Sequence, residues 1–454
     1  PATPIAKWFF EQRFESPRYW NQSVLLKARR ELGAAEVRRA LTAIVRHHDS
    51  LRLNLDPETG RLFYNPRLLE ADVPVEEIDL SGCGEEESAR RIRENGERLK
   101  AGVRLEDGLP FAACLFRTGE GERLLLLTAH HLTVDAVSWR IVLDDLVRSL
   151  DRARRGEPLS LPGKTHSYQA WAAGLRRYAE RLPESEKAYW AELAAASADA
   201  GALVPGAPPS PRLEQCETAE VVLAEEETAA LLGTANEVYL TETRDLLVLA
   251  LALTIRSYTG NGKVLFELEG HGREELFEDI DVSRTVGWFT SLYPCLLRLT
   301  GDDPGALIRE AKEQLRAVPN NGIGFGIAKY LGRSPLPEGN GGVRFNYIGE
   351  MDNGLGRPDF EFILQDSGAD RAPVNSLTCL LDVVALVSGK RLTIRAAYGR
   401  SYGRPVGLDS FADRMAGTLR SLLAHCAEAE KRQFTPSDFD AADLTQADLD
   451  LLIG

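Results

Sequence analysis

The chain has 454 residues, 44% of them hydrophobic and 27% charged, with 54 basic against 68 acidic side chains and a net charge of −14. That length exceeds one ordinary core and suits two or three domains. The acidic balance repels nucleic-acid phosphate and anionic lipid and excludes both as general partners. No uncharged apolar run approaches the roughly 18–20 residues of a membrane helix. The start, PATPIAKWFFEQ, has neither an initiator methionine nor the basic-then-apolar pattern of a secretory leader. It reads as a cytoplasmic segment cut from something longer. The cysteines Cys83, Cys114, Cys216, Cys295, Cys379 and Cys426 lack CxxC spacing, and with only seven histidines the chain reads as carrying reduced thiols and no metal.

In chain order, AAEVRRALTAIVRHHDSLRL (34–53) predicts a helix running into a strand. RLLLLTAHH (123–131) predicts a buried strand. AVSWRIVLDDLVRSL (136–150) predicts a helix, since Trp139, Val142, Leu143, Leu146, Val147 and Leu150 share one face at helical spacing. ESEKAYWAELAAASA (184–198) predicts another, before the proline-rich linker GALVPGAPPSPR (201–212). Beyond it, TRDLLVLALALTIRSYTG (243–260) and DPGALIREAKEQLRAV (303–318) predict helices; KVLFELEGHGRE (263–274), VRFNYIGE (343–350) and RLTIRAAYGRSY (391–402) predict strands. The tail FTPSDFDAADLTQADLDLLIG (434–454) carries helix starts and an amphipathic turn. Such a mixture predicts α/β or α+β layers, with a division into 1–180 and 181–454, the second part including the linker.

Two places have the residue types for proton chemistry. His130, His131 and Asp135 lie between a strand end and a helix start, where α/β proteins place reactive side chains. Asp135 occupies an N-cap position. The same three residues would also suit satisfied core histidines and a simple cap. In FELEGHGRE, Glu267 and Glu269 alternate with Phe266 and Leu268 and so face one way. A carboxylate there, poorly solvated, would be suited to proton transfer; a solvated edge strand is the plainer alternative. TGNGK (259–263) lacks phosphate-loop spacing, and NNGIGFG (320–326) lacks the dinucleotide context, so both read as turns or loops. Ser138 has no nucleophile-elbow context and reads as a helix-interior hydroxyl.

Seven segments in order resemble motifs of the epimerization domains of nonribosomal peptide synthetases, a branch of the condensation-domain superfamily: PIAKWFFEQ (4–12), HHLTVDAVSW (130–139), TRDLLVLALA (243–252), EGHGRE (269–274), RTVGWFTSLYP (284–294), NNGIGFG and FNYIGE (345–350). Ala136 and Phe325 depart from the commonest pattern, where condensing relatives usually carry glycine and tyrosine is common, respectively. The resemblance implies two chloramphenicol-acetyltransferase-like lobes in a V, with an active-site tunnel at their junction. It implies no cofactor of the chain's own. The substrate would be an aminoacyl or peptidyl thioester on the 4'-phosphopantetheine of a partner carrier domain, among neighbouring synthetase modules. The isolated domain would be monomeric.

By matching positions, the resemblance makes His131 and Glu269 the catalytic pair. Glu269 would remove the Cα proton of the L substrate. His131 would deliver a proton to the opposite face or stabilise the enolate oxygen, and one group plus water is an open alternative. His130 would support the turn, and Asp135 would pair with Arg52 to hold it. Arg273 would orient the Glu269 loop, with Asn346 and Tyr347 as second-tier groups; Trp139 and Trp288 would pack. The competing readings are an amide-forming condensation domain and a noncatalytic docking domain.

Overall fold

A computed structural model describes every residue except 1, 120, 207–209, 333–341, 352–358, 430, 440–445, 447–448 and 450–454. The described strands are β1 (Asn21–Ala28), β2 (Leu53–Leu55), β3 (Leu62–Tyr64), β4 (Val75–Asp79), β5 (Phe111–Arg117), β6 (Arg123–His130), β7 (Cys216–Val222), β8 (Lys263–Gly270), β9 (Ser291–Arg298), β10 (Val343–Glu350), β11 (Phe360–Phe362), β12 (Leu381–Ser388) and β13 (Arg391–Gly399). The chain divides into two compact units. Unit 1 comprises Pro1–Glu180, Glu275–Thr290 and Met351–Ser376; unit 2 comprises Arg181–Glu274, Ser291–Glu350 and Leu377–Gly454. This corrects the expected contiguous second part, 181–454. Two of its segments leave because they complete unit 1: β11 adds an edge strand beside β1, and Val286 and Phe360 are buried in that unit's core.

Unit 1 is built on a five-stranded sheet in the order β11-β1-β6-β5-β4, antiparallel except for the parallel pair β4–β5. Its centre explains the four-leucine run. Leu125, Leu127 and Ala129 point into a cluster with the helices Ala34–His47 and Ala136–Arg154. Leu124 and Leu126 point the other way, into a cluster that includes Ile92 of the helix Glu85–Ala101. A strand covered by helices on both faces reads as continuously apolar rather than alternating. β6 pairs with β1 along its whole length and ends with His130 opposite Asn21.

Unit 2 is built on a six-stranded sheet in the order β7-β13-β12-β10-β8-β9, with β10 parallel to both neighbours. One face packs on the helices Thr243–Thr259, Pro304–Arg316 and Phe411–Glu428. The first of these is apolar around nearly its whole circumference, with Leu246 to Ala252 all buried, as suits a helix enclosed by others. The tail reading lies largely outside the described residues; Pro436–Asp438 forms one 3-10 turn capped by Thr435. The linker reading is likewise outside at 207–209. No helix among the described residues is long and apolar enough to cross a membrane.

NNGIGFG is a turn only in its first half, since Ile323–Leu331 is helical. Asn320, Asn321 and Gly322 take successive left-handed conformations, with φ of 46°, 49° and 83°. The asparagine amides secure the turn, donating to Glu186 at 3.2 Å and Glu274 at 2.8 Å. A Cβ on Gly322 would sit 2.2 Å from the Tyr293 ring. Gly322→Ala is therefore expected to destabilise the protein by about 2 kcal/mol or more, from backbone strain plus overpacking. A thermal melt checks this, and an unchanged midpoint would contradict it.

Candidate active site

In unit 1, a single 3-10 turn, His131–Thr133, joins β6 to the helix Ala136–Arg154. Asp135 caps that helix: Oδ1 accepts from the Ser138 N–H at 2.7 Å and Oδ2 from the Phe289 N–H at 3.0 Å. His130 is fully buried and both its nitrogens are engaged. Nε2 donates to the Pro17 carbonyl at 2.9 Å, and Nδ1 accepts from the Leu132 N–H at 3.2 Å. His130 therefore holds the turn by linking it to Pro17.

His131 is different. Its Nδ1 lies 2.9 Å from the Val134 carbonyl, which can only accept, so Nδ1 carries the proton and Nε2 keeps its lone pair. Burial, opposed by nearby backbone carbonyls and Asp135, pushes its pKa down to about 4. The ring is thus neutral at neutral pH, with Nε2 as the basic atom.

Arg52 does not make the expected pair with Asp135. Its guanidinium turns to the end of the helix Ala34–His47, donating to the carbonyls of Val45, Arg46 and His48, and pairs with Asp49 at 2.8 Å. Val45 and Arg46 lie in the last turn of that helix, where carbonyls run out of intrahelical partners and attract a cation.

The returning segment Arg284–Thr290 lies against the turn. Ser138 Oγ donates to the Gly287 carbonyl at 2.7 Å and accepts from the Gly287 N–H at 3.0 Å. Fully buried Asp145 accepts from Arg284 at 2.6 Å and His48 at 2.7 Å. The sequence reading placed Ser138 as a helix-interior hydroxyl, as observed, but did not see its tie to Gly287, and it missed Asp145. Asp145 did leave a signal, as a carboxylate beside Leu146 and one turn after Val142 on the apolar face of its helix.

In unit 2, the β8–β10 register places Arg344 opposite Glu267, and Asn346 therefore opposite Glu269. The Asn346 amide donates to the half-buried Glu269 carboxylate at 2.7 Å. Arg344, 4% exposed, binds Glu267 through two nitrogens at 2.7 and 2.6 Å and also donates to Thr378 at 2.8 Å. Glu267 and Glu269 thus share a face, as their spacing predicts. Tyr347 does not join them. Successive strand residues alternate, and Tyr347 packs into the helix-covered core; burial, helped by Glu350, pushes its phenol up to about 12. Arg273 follows the strand in the EGHGRE turn, where its backbone N–H donates to His271 Nδ1 at 3.0 Å. His271 in turn lies 3.5 Å from Glu274.

The solved epimerization domain from the third module of tyrocidine synthetase B is similar to this chain, with a TM-score of 0.86 and 32% identity over 94% of this chain and 98% of that one. The first condensation domain of the calcium-dependent antibiotic synthetase matches at 0.70 with 19% identity, covering 94% and 95%, a likeness of fold alone. Among curated proteins, surfactin synthase subunit 1 of Bacillus subtilis (strain 168) is 36% identical over 99% of this chain and 13% of its own length. Surfactin synthase subunit 2 of the same strain is 34% identical over 97% of this chain and 12% of its own length. The chain therefore spans only a small part of these relatives. A family model described as the condensation domain matches residues 1–445, and the chain belongs to the condensation-domain family.

Proposed function

We propose that the chain inverts the Cα configuration of an aminoacyl or peptidyl thioester carried on the phosphopantetheine arm of a carrier domain. The observation that carries this reading is the Glu269 carboxylate, held by Asn346 at the end of β8 within EGHGRE. Amide formation has no need of such a group. The 32% identity to an epimerization domain, against 19% to a condensation domain, supports the same choice.

A thioester acidifies its α hydrogen because the carbanion delocalises onto the carbonyl oxygen. Glu269 takes that proton from the L substrate and becomes a carboxylic acid, leaving the enolate. The opposite face then receives a proton, from His131 after its Nε2 has taken one from water, or from water directly, and Glu269 returns its own proton to water. In the reverse direction, Nε2, which keeps its lone pair, removes the proton of the D substrate. The chain brings no cofactor of its own to this scheme; the phosphopantetheine belongs to the substrate.

The test is incubation with a carrier domain bearing an L-aminoacyl thioester in deuterated water, without an amine acceptor. The expected result is deuterium at Cα and a mixture of L and D thioester. No exchange across several loaded carriers, with amide formed once an amine acceptor is added, would instead establish the condensing activity.

A further inference from the structure

Trp288 covers one face of the His131 imidazole. The ring centroids are 4.3 Å apart and the planes 33° from parallel. The indole is only 3% exposed and also meets Trp8 and Phe9 edge-on, at 6.2 and 6.3 Å. Its backbone is gripped on both sides. The Gly287 peptide is locked to Ser138, the Trp288 carbonyl accepts from the Tyr168 hydroxyl at 2.6 Å, and the Phe289 N–H reaches the Asp135 cap. The fit is close enough that a Cβ on Gly287 would lie 2.5 Å from the Tyr168 ring.

The His131 side chain is tied to the backbone by the hydrogen bond from Nδ1 to the Val134 carbonyl. That bond fixes the tautomer and holds one edge of the ring, while the Trp288 indole packs on its face and limits rocking about the Cβ–Cγ bond. We propose that Trp288 is a positioning residue for His131, fixing the plane of the imidazole so that Nε2 is presented in a single orientation. Asp135 then has a double role. One oxygen starts the helix after the turn, and the other holds the segment that carries Trp288, so a single carboxylate sets both the histidine and its cover.

The consequence for rate rests on the proposed role of His131; the consequence for the ring does not. In full-length protein, Trp288→Leu is expected to lower kcat for Cα exchange about tenfold to a hundredfold, the scale of a small misplacement of a reacting group, with KM for the loaded carrier little changed. Trp288→Phe, which keeps an aromatic cover, is expected to recover most of the loss.

Imidazole resonances read the ring directly, without turnover. Besides the backbone, the charged and titratable groups acting on His131 within unit 1 are Asp135, Arg371 and its neighbour His130. With these unchanged, wild type and Trp288→Phe are expected to hold one Nδ1–H tautomer that stays neutral down to about pH 5, consistent with a pKa of about 4. Trp288→Leu admits water, stabilises the charged form and raises the His131 pKa towards the ordinary value of about 6.5. Unchanged titration and kcat in Trp288→Leu would overturn the inference. If that variant does not fold, wild-type His131 ring resonances that exchange between orientations, or that lack the ring-current shift of an indole stacked at 4.3 Å, would overturn it equally. Absence of epimerization in wild type, with the ring behaving as described, would remove the functional reading and leave the positioning role standing.

Discussion

Glu269→Gln is expected to lower Cα deuterium uptake by about 10²–10⁴-fold, the span typical of removing a general acid–base group. The substitution keeps the length and shape of the side chain. Its amide oxygen can still accept from Asn346, so the contact at 2.7 Å survives and β8 keeps its register. What disappears is the capacity to take a proton. The thermal midpoint should therefore stay close to wild type while exchange collapses, separating chemistry from folding. Exchange that persists at the wild-type rate would remove Glu269 from the scheme and place the proton transfer on His131 or on water.

Arg344→Met is expected to have the largest effect on stability. Glu267 and Arg344 are 8% and 4% exposed, and the guanidinium also lies opposite Asp382 in the β10–β12 register. Breaking such a pair from one side leaves a carboxylate buried without its cation, at a cost of about 3–5 kcal/mol. For a unit of this size that corresponds to a fall of roughly 6–20 °C in the midpoint. Glu267→Gln combined with Arg344→Met is expected to recover the part of the loss that comes from the stranded Glu267 charge, while Asp382, also buried opposite Arg344, keeps the remainder. A double variant as unstable as Arg344→Met would contradict this account. Because Arg344 and Asn346 sit on the same face of β10, the same melt indicates how firmly the strand beneath Glu269 is held.

Much of this was legible in the sequence, for physical reasons that differ from place to place. Four consecutive leucines before two histidines identified a buried strand, and the change to helical spacing after Asp135 located the cap. Both signals are local. The shared face of Glu267 and Glu269 followed from the two-residue period of a strand. The same period could have excluded Tyr347, since Asn346 and Tyr347 cannot both face Glu269; the motif suggested the pair and the geometry divides it. Arg52 was misassigned because a guanidinium has several competing acceptors, and the nearby helix end won. Arg284 with Asp145, and Trp288 with His131, join positions more than 130 residues apart, and no local periodicity carries that information. The returning segments were hidden for the same reason.

The threading of unit 1 through the chain bears on how the protein is made. On the ribosome, residues 1–180 emerge first and include four of the five strands of the sheet, but β1 then has one edge uncovered. Its partner β11 appears about 180 residues later, an interval of roughly 10–40 s at ordinary elongation rates. Through that wait the nascent sheet presents open backbone donors and acceptors to any neighbouring strand, the situation in which wrong pairing between chains begins. The turn bearing His131 likewise waits for Trp288. Fragments that stop at residue 180 should thus be more prone to self-association than the complete chain, and slowing translation between residues 180 and 360 should lower the yield of native protein.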